Sequence, residues 1–149
     1  MKSTYIKVAA FCVASLVGTT ASIASDPIAN RQAMMKNVGA AMRVAGGMAQ
    51  GKIPFDSISA ELAMRVMNSS AAGLSSLFPD SSKTGGDTEA APKIWDDKAG
   101  FDKLTAVFQE TSAAAAKAAK AGEGDFKAAF GAVAKNCKAC HQDYRIKKN

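Results

Sequence analysis

Residues 125–144 read DFKAAFGAVAKNCKACHQDY, and their periodicity decides the fold class. Phe126, Phe130, Val133, Cys137 and Tyr144, with Cys140 and His141 completing the seam, recur at helical spacing. Residues three and four apart lie over one another on an α-helix, so both thiols and the imidazole are expected to point inward with the aromatic rings. Asp125 is expected to cap this fourth helix, after a break at Gly122 and Gly124. Working back, Pro92 opens a third helix with Trp95, Phe101, Leu104 and Phe108 along one side, followed by the alanine-rich stretch from Ala113 to Ala121. Alanine is the best helix former, and its small side chain lets a neighbouring helix come close.

Between Ser69 and Ala91 the periodicity fails, and Gly73, Pro79, Gly85 and Gly86 sit among serines and threonines. That composition predicts a long crossing loop, anchored by Leu74, Leu77 and Phe78. Asp56 is placed to cap a second helix, with Phe55 before the cap and Ile58, Leu62 and Val66 facing inward. The first helix is expected to start at Asp26-Pro27 and run to about Gln50, ended by Gly51 and Pro54. Ile28, Met35, Met42 and Ala49 recur every seven residues, with Arg31, Val38 and Ala45 in the other seam position. No strand-like alternation competes. The expectation is an all-α, antiparallel up-down-up-down four-helix bundle with a long loop between helices 2 and 3.

Residues 1–25, MKSTYIKVAAFCVASLVGTTASIAS, place Lys2 and Lys7 before an apolar run from Val8 to Val17 and small residues at Ala21 to Ala24. This order is that of a cleaved secretory signal peptide, here 1–24, leaving residues 25–149 as the bundle. The apolar run is about half of the ~20 residues a bilayer span needs, so no stable membrane anchor is expected. The destination is the periplasm. Cys12 follows the bulky Phe11 and falls inside the removed segment, so Cys137 and Cys140 are the two cysteines of the mature chain. The formal charge of +6 becomes +4 without Lys2 and Lys7, and the lysines are spread rather than clustered. A nucleic-acid partner is therefore not expected.

Cys137-Lys138-Ala139-Cys140-His141 is a C-x-x-C-H string, the attachment sequence for c-type haem. Two thiols one helical turn apart can add to the two vinyl groups on one porphyrin edge, and the adjacent imidazole reaches the iron. A single haem c, held through two thioethers, is the expected cofactor, with His141 as an iron ligand. Its two propionates would bring the net charge near +2. A thioredoxin-like thiol pair would begin a helix after a strand, whereas this pair lies deep in a terminal helix. A structural zinc site would need a fourth ligand, and no second pair is near.

A four-helix bundle with this string near its C-terminus resembles the class II cytochromes c, the cytochrome c-prime family. The segments RQAMMKNVGAAM, GKIPFD, LFPDS, APKIWDDKAGFD and CKACHQDYR resemble, in order and spacing, those of its low-spin branch, which holds a methionine on the distal side of the iron. The resemblance covers essentially the whole mature chain. It implies that Met35, four residues after Arg31, is the distal ligand, and that Arg31 and Gln32 bond a haem propionate. Topology bears on the same point independently. With the first and fourth helices antiparallel, and His141 about a turn and a half before the fourth helix ends, the residue facing it lies near 32–36 at ~1.5 Å rise per residue. Met35 is in phase with Ile28 and Met42, while Met34 is turned roughly 100° away. The plain alternative is that Met35 fills the core, as methionine often does. Trp95 is expected as a packing wall, and Arg145 either beside the imidazole or facing water.

Histidine and methionine together would make a six-coordinate, low-spin iron suited to one-electron transfer. With no acid, base or second metal in a substrate pocket, the expected function is a periplasmic one-electron carrier and not an enzyme. Redox proteins would be its partners, and its apolar first-helix face leaves a homodimer open. The alternative is a five-coordinate haem protein that binds or sequesters NO or CO.

Overall fold

The computed structural model describes residues 26–147; the leader expected at 1–24 lies outside them. The described chain forms α1 (Pro27–Ala49), α2 (Ser57–Leu74), a short α3 (Lys93–Asp96), α4 (Lys98–Ala121) and α5 (Glu123–Tyr144). The four long helices run alternately up and down, as the periodicity predicts, with α2 against α4, α4 against α5 and α1 against α2. α1 and α5 close the ring with the sparsest packing of the four neighbouring pairs.

Local chemistry sets the helix starts. Asp26 Oδ1 accepts from the Ile28 N–H at 2.8 Å, with Pro27 at the first helical position, which satisfies one of the otherwise orphaned first-turn donors. Asp56 Oδ1 does the same for Ser59 at 2.7 Å. At α5 the structure departs from expectation: Gly122, at φ +140°, occupies the cap, and Asp125 lies within the first turn beside Glu123. Its carboxylate there complements the helix dipole instead of capping. The expected third helix is also divided. Asp97 leaves helical geometry at φ −128° and ψ 59°, and its side chain caps α4 by accepting from the Gly100 N–H at 3.0 Å.

On α2 two of the three residues expected to face inward do not, and only Val66, half-buried, packs against the core. Ile58 and Leu62 are 75% and 61% exposed, while Ala60, Ala63, Met64, Met67, Ala71 and Leu74 are buried. The reason lies in the partner helix, which presents Ala115, Ala116 and Ala119 to the core. Small side chains on both helices permit close approach, and the unbranched methionines fill what is left. A leucine and isoleucine stripe would hold the pair apart. α2 also continues through Ser69 to Leu74, so the crossing segment begins at Ser75.

The core has two parts. One is built around Val38, Ala45, Met48, Met64, Met67, Phe126, Phe130 and Val133. The other, where the chain crosses from α2 to α3, holds Leu74, Ile94, Phe101 and Tyr144, with Met34, Met35, Trp95 and Cys140 packed against it.

Candidate haem site

Cys137 and Cys140, half-buried, and His141, exposed rather than inward, line the α5 side of a cavity of about 400 Å³ including its mouth. Met35 and Val38 of α1, Leu74 of α2 and Leu104 and Phe108 of α4 line the remaining walls. The surroundings are apolar, with Thr105 and Asn136 as the polar exceptions. Asn136 is tied down, donating through Nδ2 to the Leu104 carbonyl at 3.2 Å. His141 lies less than a turn before the end of α5 at Tyr144, not the expected turn and a half.

The thiols are half-buried and unpaired. Burial pushes the Cys137 thiol up, and burial, with Cys137 and Asp143 adding to it, pushes Cys140 up to about 11. Burial and the nearby Arg145 charge lower His141, against the opposing pull of Glu89. Neutral imidazole is the form that binds a metal.

Met35 stands on the cavity wall, across from α5, and Met34 does not. The Met34 methyl carbon instead lies 3.6 Å from where a Cβ on Gly73 would stand, turned toward α2. Trp95 is half-buried; its indole N–H donates to the Phe78 carbonyl at 3.0 Å, and the Phe78 ring meets it edge-on at 5.9 Å. Arg31 is buried, and its guanidinium binds the crossing segment through Ser82 and Thr88. Gln32 Nε2 donates to the Asp87 carbonyl of the same segment. Arg145 neither faces open water alone nor lies unpartnered: its Nε donates to Glu89 Oε2 at 2.5 Å.

Sequence reasoning missed Ser82, Thr88 and Glu89, which lie in a stretch without periodicity. It also missed the Tyr144 hydroxyl, which donates to Asp97 Oδ2 at 2.7 Å. One signal was present. Arg31 falls in the seam of an inward face, and a buried guanidinium demands acceptors from some other segment.

The donor set suits the group that the C-x-x-C-H string implies. Two thiols and an imidazole stand on one wall, a thioether on another, and an apolar slot lies between them. Comparison with known proteins agrees. The family described as Cytochrome C′ matches residues 26–145. A cytochrome c′ of Rhodopseudomonas palustris is 42% identical over 125 residues, covering 84% of this chain and 85% of that protein. The solved structure of cytochrome c′ from that organism superposes with a TM-score of 0.79 over 84% of this chain and 99% of its own. An oxidised cytochrome c556 of R. palustris, 31% identical, gives a TM-score of 0.74 over 83% and 98%. A nitric oxide complex of an Alcaligenes xylosoxidans cytochrome c prime mutant, 30% identical, gives 0.71 over 81% and 94%. The chain therefore belongs to the class II cytochromes c, the cytochrome c′ and c-556 family, and is a haem protein with one covalently bound haem c.

Proposed function

We propose that the protein is a periplasmic one-electron carrier in which Cys137 and Cys140 would form the two thioethers and His141 and Met35 would ligate the iron. The observation that carries this reading is that Met35 and His141 line one cavity from two antiparallel helices, with Met34 turned away. The haem supplies a one-electron iron couple, and a soft, neutral methionine sulfur favours its ferrous state. The apolar walls from Val38, Leu74, Leu104 and Phe108 exclude water and keep the site's polarity low. Arg31 and Gln32 are assigned to a haem propionate, which would join a polar clamp already made with the crossing segment. Redox proteins are the partners. A second copy of the chain accounts for the exposed Ile58 and Leu62. Export follows from the leader at 1–24, and no helix among the described residues is long and apolar enough to cross a membrane.

The second reading, a five-coordinate haem protein binding NO or CO, is favoured by the 42% identity to a cytochrome c′ and by the nitric oxide complex of the Alcaligenes relative. One substitution separates the two. Met35→Leu should turn sharp low-spin absorption bands into broad high-spin ones, admit carbon monoxide readily and lower the potential, while Met34→Leu changes little. Both swaps are near-isosteric and should cost under ~1.5 kcal/mol in stability. Broad high-spin bands and rapid carbon monoxide binding in the wild type would transfer the assignment to the gas-binding reading.

A further inference from the structure

The segment between α2 and α4 touches both sides of the haem site. On one side α1 grips it: Arg31 Nη1 donates to the Leu77 carbonyl at 3.3 Å and to Ser82 Oγ at 2.8 Å. Arg31 Nη2 donates to the Ser82 carbonyl at 3.1 Å and to Thr88 Oγ1 at 2.7 Å. The guanidinium also lies 4.9 Å from the Phe78 ring centre. On the other side the end of α5 grips it. The Ala91 N–H donates to the Tyr144 carbonyl at 3.1 Å, and the Ile146 N–H to the Glu89 carbonyl at 2.7 Å. The Glu89 carboxylate holds Arg145 as well.

These two grips sit beside the two proposed iron ligands. Arg31 is one turn before Met35, and Tyr144 is three residues after His141. Direct packing between α1 and α5 is sparse, so the two helices are joined less by their own contacts than by the elements that touch both. The guanidinium is buried, and every acceptor it bonds is a neutral oxygen of the segment. A desolvated cation without such acceptors is costly, so the first turns of α1 are bound to follow wherever those oxygens stand.

We propose that residues 77–91 act as a strap that sets the gap between α1 and α5, with Ser82 and Thr88 as positioning residues that act through Arg31 to keep Met35 within reach of the iron. The proposal rests on the Met35 ligation reading and adds to it the element that decides whether the bond persists. Neither Ser82 nor Thr88 lines the haem cavity.

The test uses the haem-loaded protein with Ser82→Ala, Thr88→Val, the double variant and the conservative Thr88→Ser. Each is read by absorption spectrum, carbon monoxide association rate and far-ultraviolet circular dichroism. Losing one hydrogen bond to a charged donor should raise the ratio of free to bound Met35 about tenfold. Each single variant should then show carbon monoxide association about tenfold faster, and the double variant, which loses two bonds, a high-spin component and association about a hundredfold faster. Thr88→Ser should restore the wild-type spectrum. If the double variant does not fold, Thr88→Val alone carries the same comparison, since Arg31 keeps its other three contacts. A wild type that is itself high-spin overturns the ligation reading, and the strap's role with it. A low-spin wild type whose Thr88→Val and double variants melt earlier yet keep its spectrum and its carbon monoxide rate overturns the strap alone.

Discussion

Phe101→Ala should damage the haem end of the bundle, whereas Phe126→Ala, equally disruptive, should spare it. Both rings are buried, at 2% and 0% exposure. Phe101 stands edge-on between Phe78 at 4.9 Å and Tyr144 at 5.4 Å, joining the crossing segment to the end of α5. Phe126 packs tilted against Phe55 and Phe130, each at 5.7 Å. Truncating a buried phenylalanine costs about 3–5 kcal/mol, and losing two ring contacts puts both sites toward the upper end of that range. For a bundle of this size, that corresponds to a melting temperature lower by roughly 15 °C. The consequences diverge because Phe126 is eleven residues, about 16 Å of helix, from Cys137. Thermal melts by circular dichroism should therefore fall alike for the two variants. At room temperature only Phe101→Ala should broaden the haem absorption or hasten carbon monoxide binding. The reasoning fails if Phe126→Ala perturbs the haem spectrum as much as Phe101→Ala does, or if Phe101→Ala barely shifts the melt.

Three further outcomes are expected. The Asp97 carboxylate pushes the Tyr144 hydroxyl up to about 12, chiefly through their hydrogen bond. Its contribution to stability is then complete below the ordinary tyrosine value of ~10 and lost as pH rises toward 12. The same bond and the Gly100 N–H lower Asp97, a contribution present above the usual carboxylate value of ~3.9 and lost as pH falls below it. Tyr144→Phe should flatten the alkaline fall in melting temperature and weaken the acid one. An ultraviolet phenolate titration reads Tyr144 alone once Tyr5 leaves with the leader. Mass spectrometry of exported protein should find a start at Ser25 or within a residue or two; a retained Met1 would contradict the leader assignment. Sedimentation should find a dimer that Ile58→Glu with Leu62→Glu converts to monomer without changing the haem spectrum; an unaltered sedimentation profile would remove those residues from the interface.

The four long helices, both aspartate caps before α1 and α2, and the shared face of the C-x-x-C-H residues on α5 were legible because each depends on residues within about two turns of one another. Cys137, Cys140 and His141 share a face by spacing alone. Met35 required one tertiary assumption, that α1 runs antiparallel to α5, and the cavity has Met35 on its wall as that assumption implies. On α2 the same logic failed. That helix carries two apolar stripes, and hydrophobicity favours the larger Ile58 and Leu62, whereas closeness to the alanines of α4 selects Ala60, Ala63 and Ala71.

By itself, then, the sequence determined the all-helical architecture, the shared face of the C-x-x-C-H residues and the phase of α1 that puts Met35 rather than Met34 on the cavity wall. Only the tertiary structure decided which stripe of α2 is buried, that Asp97 divides the third helix to cap α4 and bind Tyr144, and that Arg31 and Arg145 both hold the crossing segment, at the neighbouring Thr88 and Glu89. The physical reason is range. Helical periodicity and caps are interactions between near neighbours in the chain, but Arg31 reaches acceptors 46 to 57 residues away and Arg145 meets Glu89 at a separation of 56. Such partners have no spacing rule to betray them until the folded chain brings a desolvated charge and its acceptors together.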